Sequence, residues 1–210
     1  MGKVILFAQQ KGGAGKTMLL TQLAVHRAAS GARMALIDLD PQRTTAAWVA
    51  ERGKRGGAGR IELVESADWR ARTDIRDAAR EADLVFVDAP GSADVLGRGA
   101  MRAADFALIP CQPAMADVWA STATLGMARR EGLAHAVVLN RVPPRGRAAE
   151  EAVAALMADG APVLEPRIGS RAAFAEAFAR GAGVTETART SKAAAEIAAL
   201  SEALDAALGR

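Results

Sequence analysis

Apolar residues in this chain fall into short unbroken blocks, with stretches of spaced apolar positions between them. Val4–Phe7, Arg33–Asp38, Leu84–Asp88, Phe106–Pro110 and Ala136–Asn140 are five such blocks, each separated from the next by room for a helix. Runs of this length without polar alternation suit strands buried on both faces, and strands that alternate with helices imply a parallel sheet. The pattern therefore predicts an α/β three-layer fold, a mostly parallel sheet covered by helices on both faces. Met18–Ala29, Ala114–Glu131, Ala148–Asp159, Arg171–Arg180 and Ser191–Leu208 carry helical apolar spacing. Ile61–Glu65 predicts a further edge strand and Trp69–Glu81 a helix, whereas Glu51–Arg60, rich in Gly, Lys and Arg, predicts an exposed loop. Val163-Leu164 is too short to assign. With no internal repeat and no linker, residues 1–210 read as one domain.

Ligands of parallel sheets bind at the carboxyl ends of the strands, and each block here ends in something chemically useful. The first runs into Gln9-Gln10-Lys11-Gly12-Gly13-Ala14-Gly15-Lys16-Thr17 and then into a helix. Strand, glycine loop and helix in that order aim backbone N–H groups and a positive helix end at one point, a cradle for polyphosphate. The usual G-x-x-x-x-G-K-[ST] pattern starts on glycine, and here that position is Gln10. In the standard roles of the loop, Lys16 reaches the terminal phosphates and Thr17 holds Mg²⁺. Gly12, Gly13 and Gly15 let the backbone approach without Cβ clashes. The bland alternative, a glycine turn with incidental lysines, does not account for the strand before it and the helix after it.

Two further strand ends add carboxylates. Asp38 and Asp40 sit at alternate positions, which in an extended chain face the same side. Leu84-Val85-Phe86-Val87-Asp88 is four apolar residues closed by an acid and followed by Ala89-Pro90-Gly91. Three acids and a threonine beside a phosphate cradle point to hard oxygen ligation, for which Mg²⁺ is the usual ion. Zinc is not expected, since His26 and His135 are far apart and Cys111 is the single cysteine.

Composition changes this picture little. One cysteine cannot form an internal bridge, which suggests a reducing cytosol. The first apolar run is too short for a secretion signal, and no stretch approaches the roughly 20 apolar residues of a membrane span. Net charge is +3, which permits contact with nucleic-acid phosphates without establishing it.

The second lysine of the loop narrows the reading. Lys11-Gly12-Gly13-Ala14-Gly15-Lys16-Thr17, Asp38-Leu39-Asp40-Pro41-Gln42, Asp88-Ala89-Pro90-Gly91 and Leu139-Asn140-Arg141 occur in an order that resembles the ParA/MinD family of deviant Walker A ATPases. The family more often has Val where this chain has Ala14. The resemblance runs from Lys3 to about Leu208 and is nearest to small ParA-type partition and positioning proteins. It implies ATP and Mg²⁺ as cofactors, with Gly12, Gly13, Ala14, Gly15, Lys16, Thr17, Met18 and Asn140 around the nucleotide and Thr17, Asp38 and Asp88 around the metal. It implies catalytic roles for Lys16, for Asp40 in positioning or activating the attacking water, and for Lys11 in touching the partner's ATP across a sandwich homodimer. Asn140 would hydrogen-bond adenine, although Asn also commonly ends strands.

The same resemblance implies slow hydrolysis stimulated by a ParB-like or cargo-adaptor partner, and a cytoplasmic, nucleoid-associated location. It also implies non-specific DNA binding in the ATP state, with Arg145, Arg147 and Arg171 as candidate contacts and Arg167, Arg189 and Lys192 behind them. The family often has an arginine where this chain has Ala173. A MinD-like membrane-cycling regulator is one alternative, disfavoured by the acidic, Ala-rich last helix. A small metabolic P-loop ATPase is another, disfavoured by Asp40-Pro41-Gln42.

Overall fold

A computed structural model describes residues 1–57, 59–66, 68–91 and 95–209. Six strands form one sheet: β1 (Lys3–Phe7), β2 (Met34–Asp38), β3 (Ile61–Val64), β4 (Leu84–Asp88), β5 (Phe106–Cys111) and β6 (Ala134–Leu139). Their order is β3-β2-β4-β1-β5-β6, and every pairing is parallel. The chain therefore reverses its direction of travel across the sheet on either side of β1. That places the loop after β1 at the crevice where such sheets bind ligands.

Nine helices are described: α1 (Lys16–Ala29), α2 (Thr44–Arg55), α3 (Ala71–Glu81), α4 (Val95–Ala103), α5 (Met115–Arg130), α6 (Ala148–Ala158), α7 (Ala172–Phe178), α8 (Val184–Thr187) and α9 (Lys192–Ala207). Successive strand residues point to opposite faces. Ile5 and Phe7 join Leu36, Phe86 and Leu108 under α1, with Trp48 of α2, Phe174 of α7, Val184 of α8 and Ile197, Leu200 and Leu204 of α9. Leu6, Ile37 and Val87 pack on the other face with Ile75 of α3 and Met101 of α4, and Ile109, Val137 and Leu139 with Leu125 of α5 and Leu156 of α6. Because both faces are covered, the central strands read as continuous apolar runs.

One sequence expectation is corrected. Glu51–Arg60 is not a loop throughout, since α2 continues to Arg55 and ends at Gly56, whose φ of 63° is the left-handed stop that glycine tolerates. The helix holds because Arg52 is buried: it forms an ion pair with Glu186 at 2.9 Å and lies over the Trp48 ring at 5.6 Å. Trp48 and Arg52 are one turn apart, yet an arginine does not register as an apolar position. Val163, too short a segment to assign from sequence, makes a single parallel bridge with Val137.

Candidate functional site

The loop from Ala8 to Gly15 is shaped by two left-handed glycines, Gly13 at φ 79° and Gly15 at φ 93°. Gly15 has a second constraint, for a Cβ there would lie 2.2 Å from Asn140 Nδ2. Gly15 is also the N-cap of α1, with no side-chain cap and no acid in the first turn. The first N–H groups of the helix are thus left for an external anion, and the helix dipole adds positive potential.

Lys16 is buried and its Nζ lies 3.3 Å from the Gln9 carbonyl and 4.0 Å from Asp40 Oδ2. Asp88 is fully buried and its Oδ2 accepts from Thr17 Oγ1 at 2.6 Å and from Thr45 Oγ1 at 2.8 Å. Its Oδ1 is buried with no hydrogen-bond partner. Burial pushes the Asp88 carboxyl up to about 6, against the two hydroxyl hydrogen bonds and the Lys16 charge that favour the carboxylate. An orphaned carboxylate oxygen next to a threonine hydroxyl fits a hard cation. Among the described residues no three His, Cys, Asp or Glu side chains converge as a ligand set. A cation here would therefore take much of its oxygen shell from phosphate and water, as Mg²⁺ commonly does.

Asp38 and Asp40 have different hydrogen-bond partners. β2 ends at Asp38, which accepts from the backbone N–H of Asp40 at 3.1 Å and of Ala46 at 2.9 Å and so ties the following turn together. Burial raises the Asp38 carboxyl, opposed by those two N–H groups. Asp40 lies beyond the strand, accepts from Gln42 N–H at 2.9 Å and faces Lys16. Asp38 and Asp88 are register partners on neighbouring strands, so both acids stand at the same sheet end.

Lys11 is half-exposed, and its Nζ meets Asp117 Oδ2 at 2.6 Å. Asn140 is buried: its Nδ2 donates to the Ala14 carbonyl at 2.8 Å and its Oδ1 accepts from Arg141 N–H at 2.9 Å. Met18 and Arg141 open onto a cleft of about 390 Å³ lined also by Ser170, Arg171, Phe174 and Phe178. Arg145 and Arg147 are exposed on the loop before α6. Arg171 is held by Glu196 of α9, to which its Nε donates at 3.0 Å, and Arg167 pairs with Glu150 at 2.8 Å. The structure thus gathers Lys16, Thr17, Asp40 and Asp88 at the loop, while Arg171 lines the neighbouring cleft with Met18 and Arg145 and Arg147 are exposed on the loop before α6.

Three participants escaped sequence reasoning. Thr45 shares Asp88 with Thr17, and its one signal was a hydroxyl in the first turn after the second acidic strand end. Gln9 is buried, donating to Ser121 Oγ at 2.8 Å and to the Pro110 carbonyl at 3.2 Å. Asp117 reads in sequence as an ordinary first-turn acid of α5.

A family model described as the CobQ/CobB/MinD/ParA nucleotide binding domain matches residues 5–184. The maintenance of carboxysome distribution protein A of Halothiobacillus neapolitanus is 31% identical over 195 residues, covering 90% of this chain and 89% of its own length. An ATP complex of a Cyanothece McdA variant superposes with a TM-score of 0.80 at 17% identity, over 99% of this chain and 96% of that one. The septum site-determining protein MinD of Pyrococcus horikoshii OT3, complexed with Mg-ADP, gives 0.80 at 19% identity, over 98% and 96%. At those identities the structural likeness establishes the fold. The family match reaches from β1 to the start of α8 and so takes in both the cradle and the acidic strand ends, and the chain belongs to the CobQ/CobB/MinD/ParA family of nucleotide-binding domains.

Proposed function

We propose that the chain is an ATP-driven positioning switch: ATP pairs two copies, the paired form binds DNA without sequence preference, and a cargo-linked partner speeds hydrolysis and release. The observation that carries this reading is the meeting of Lys16, Asp40, Thr17 and Asp88 at a helix N-terminus. The loop N–H groups and Lys16 bind the phosphates. Thr17 and Asp88 hold Mg²⁺, with Asp38 ordering its surroundings through the turn it anchors. When bound, the ion neutralises charge on the β- and γ-phosphates. Asp40 orients a water and accepts its proton as the water oxygen bonds to the γ-phosphorus and the bond to ADP breaks. The base lies in the cleft beside Met18 and Arg141, and Asn140, which bonds to Ala14 of the loop and to the Arg141 N–H, is the side chain that hydrogen-bonds it.

Lys11 supplies a second cation, which in the paired form reaches the partner's phosphates. The carboxysome-distribution relative supports a cargo-positioning role, and plasmid, chromosome and other cargo all suit the chemistry. A membrane-cycling alternative is poorly supported: α9 turns Ile197, Leu200 and Leu204 into the core and presents Glu196, Glu202 and Asp205 among its polar residues. No described helix is long and apolar enough to cross a membrane.

The test is binding to random-sequence duplex DNA with ATP, with ADP and without nucleotide. We expect binding with ATP alone, falling steeply with salt as counterions are released. Arg145 and Arg147 changed together to Ala should lower the salt slope by about 2 if each meets one phosphate. Binding that ignores nucleotide or salt would overturn the switch.

A further inference from the structure

We infer that Arg43 is a positioning residue of the hydrolytic site, whose guanidinium braces the turn between β2 and α2 and so holds Asp40 beside Lys16. The inference rests on the proposed role of Asp40 in orienting water. Two local rules oppose an arginine here. Its φ of 53° lies in the left-handed region, which is unfavourable for a residue with a Cβ and which glycine enters freely. It is also the N-cap of α2, where the helix dipole disfavours a cation and where its side chain makes no capping hydrogen bond. A glycine would meet the same backbone without either cost, so what an arginine gains at this position resides in its guanidinium.

The guanidinium folds back across its own turn. Nη1 donates to the Asp38 carbonyl at 3.2 Å, and Nη2 donates to Glu65, the residue that follows β3. The Arg43 N–H donates to the Asp40 carbonyl at 2.9 Å, so Arg43 grips the turn at one point by its backbone and at another by its side chain. Asp38 completes the frame, its carboxylate accepting from the Asp40 N–H, while Asp40 turns Oδ1 to the Gln42 N–H and Oδ2 to Lys16. Glu65 is 73% exposed, so the ion pair adds little by itself and serves to aim the guanidinium. The planar fork spans both acceptors at once, which the single ammonium of a lysine does not reproduce. Loss of the brace frees the turn that carries Asp40, and a misplacement of about 1 Å is enough to cost up to about 10²-fold in rate. The loss falls on turnover rather than on nucleotide affinity, because Lys16 and the loop N–H groups stand outside the brace.

The test uses the full chain carrying Arg43→Gly, Glu65→Ala or both, with Asp40→Ala as the control. Single-turnover phosphate release with ATP and Mg²⁺ reads the chemical step, its dependence on ATP concentration reads binding, and hydrogen–deuterium exchange reads the amides of residues 40–43 in the nucleotide-free protein. We expect Arg43→Gly to slow phosphate release about 10- to 100-fold, to keep half-saturating ATP within about twofold of wild type, and to speed exchange at residues 40–43. Glu65→Ala should have a smaller effect in the same direction, and the combination should be no slower than Arg43→Gly alone. If Arg43→Gly does not fold, Arg43→Asn, which also tolerates the left-handed region but cannot reach both acceptors, takes its place. Wild-type turnover in Arg43→Gly beside a slow Asp40→Ala overturns the brace and leaves the reading of Asp40 standing. A raised half-saturating ATP concentration at an unchanged maximal rate also overturns it, since that marks a contact to the nucleotide. Should Asp40→Ala itself turn over at the wild-type rate, the reading of Asp40 fails instead, and exchange alone decides: faster at residues 40–43 in Arg43→Gly supports the brace, unchanged removes it.

Discussion

At the scale of single residues, Asp88 and Gly15 show how far the nucleotide-free protein is shaped for a ligand. Asp88 is pushed up to about 6 from an ordinary 3.8, with burial the main cause. Between those two values the folded chain binds a proton that the unfolded chain has lost. Stability contributed at this site is therefore present below pH 4 and is lost as pH rises through about 6. We expect the stability difference between Asp88→Asn and wild type, measured by urea unfolding without nucleotide, to shift in the variant's favour between pH 4 and pH 7. Gly15 makes a second prediction. Gly15→Ala suffers both a left-handed φ and a clash with Asn140, so it should lose stability by more than the 1–2 kcal/mol typical of that backbone region (roughly). Introduced into Asn140→Ala, which by itself loses the hydrogen bonds to Ala14 and Arg141, Gly15→Ala should cost only the φ component, so the clash is read from the double-mutant cycle.

At the scale of elements, the most instructive contrast is between α1 and α2. α1 follows a strand and a glycine loop, and the helix expected over Met18–Ala29 starts two residues earlier, as Lys16–Ala29. α2 was hidden because its buried face is Thr45, Trp48 and Arg52, in which only Trp48 registers as an apolar position. Breaking that buried pair should be costly: Arg52→Ala leaves Glu186 buried without its cation and should lower stability by about 3–5 kcal/mol in urea unfolding. Arg52→Met, which keeps the stem over Trp48, should lose less of the packing but the same ion pair. The strands were readable because burial on both faces makes them unbroken apolar runs. Within the site, Lys16, Thr17, Asp40 and Asp88 were legible from residue type and spacing. Thr45, Gln9 and Asp117 were not, because each acts through a contact between elements distant in sequence. Asp38 closes β2, whereas Asp40 stands beyond the strand, in the turn that Asp38 ties together.

At the scale of the whole molecule, the sheet order gathers the ends of β1, β2 and β4 at one edge of the fold, and with them every group assigned to the phosphates and the water. Asp40 differs from the rest of this set. Asp88 is fully buried and Asp38 nearly so, whereas the Asp40 side chain is 21% exposed and stands on a turn past the strand. An exposed acid suits a group that must meet water, and a turn can change shape when the γ-phosphate leaves. Removing it should therefore separate binding from turnover. Asp40→Ala should retain nucleotide, since Lys16 and the loop N–H groups remain, but lose about 10²–10⁴-fold in phosphate release by the usual contribution of a general base. If hydrolysis is what ends pairing, the ATP-loaded variant should persist at twice the 21.8 kDa of the chain in light scattering, where wild type decays to monomer as ATP is consumed. Lys16→Ala should abolish nucleotide binding and remain monomeric under the same conditions. A turnover rate in Asp40→Ala equal to wild type would remove Asp40 from its role. A slow but monomeric variant would leave the hydrolytic site intact and remove the coupling of ATP to pairing on which the positioning switch depends.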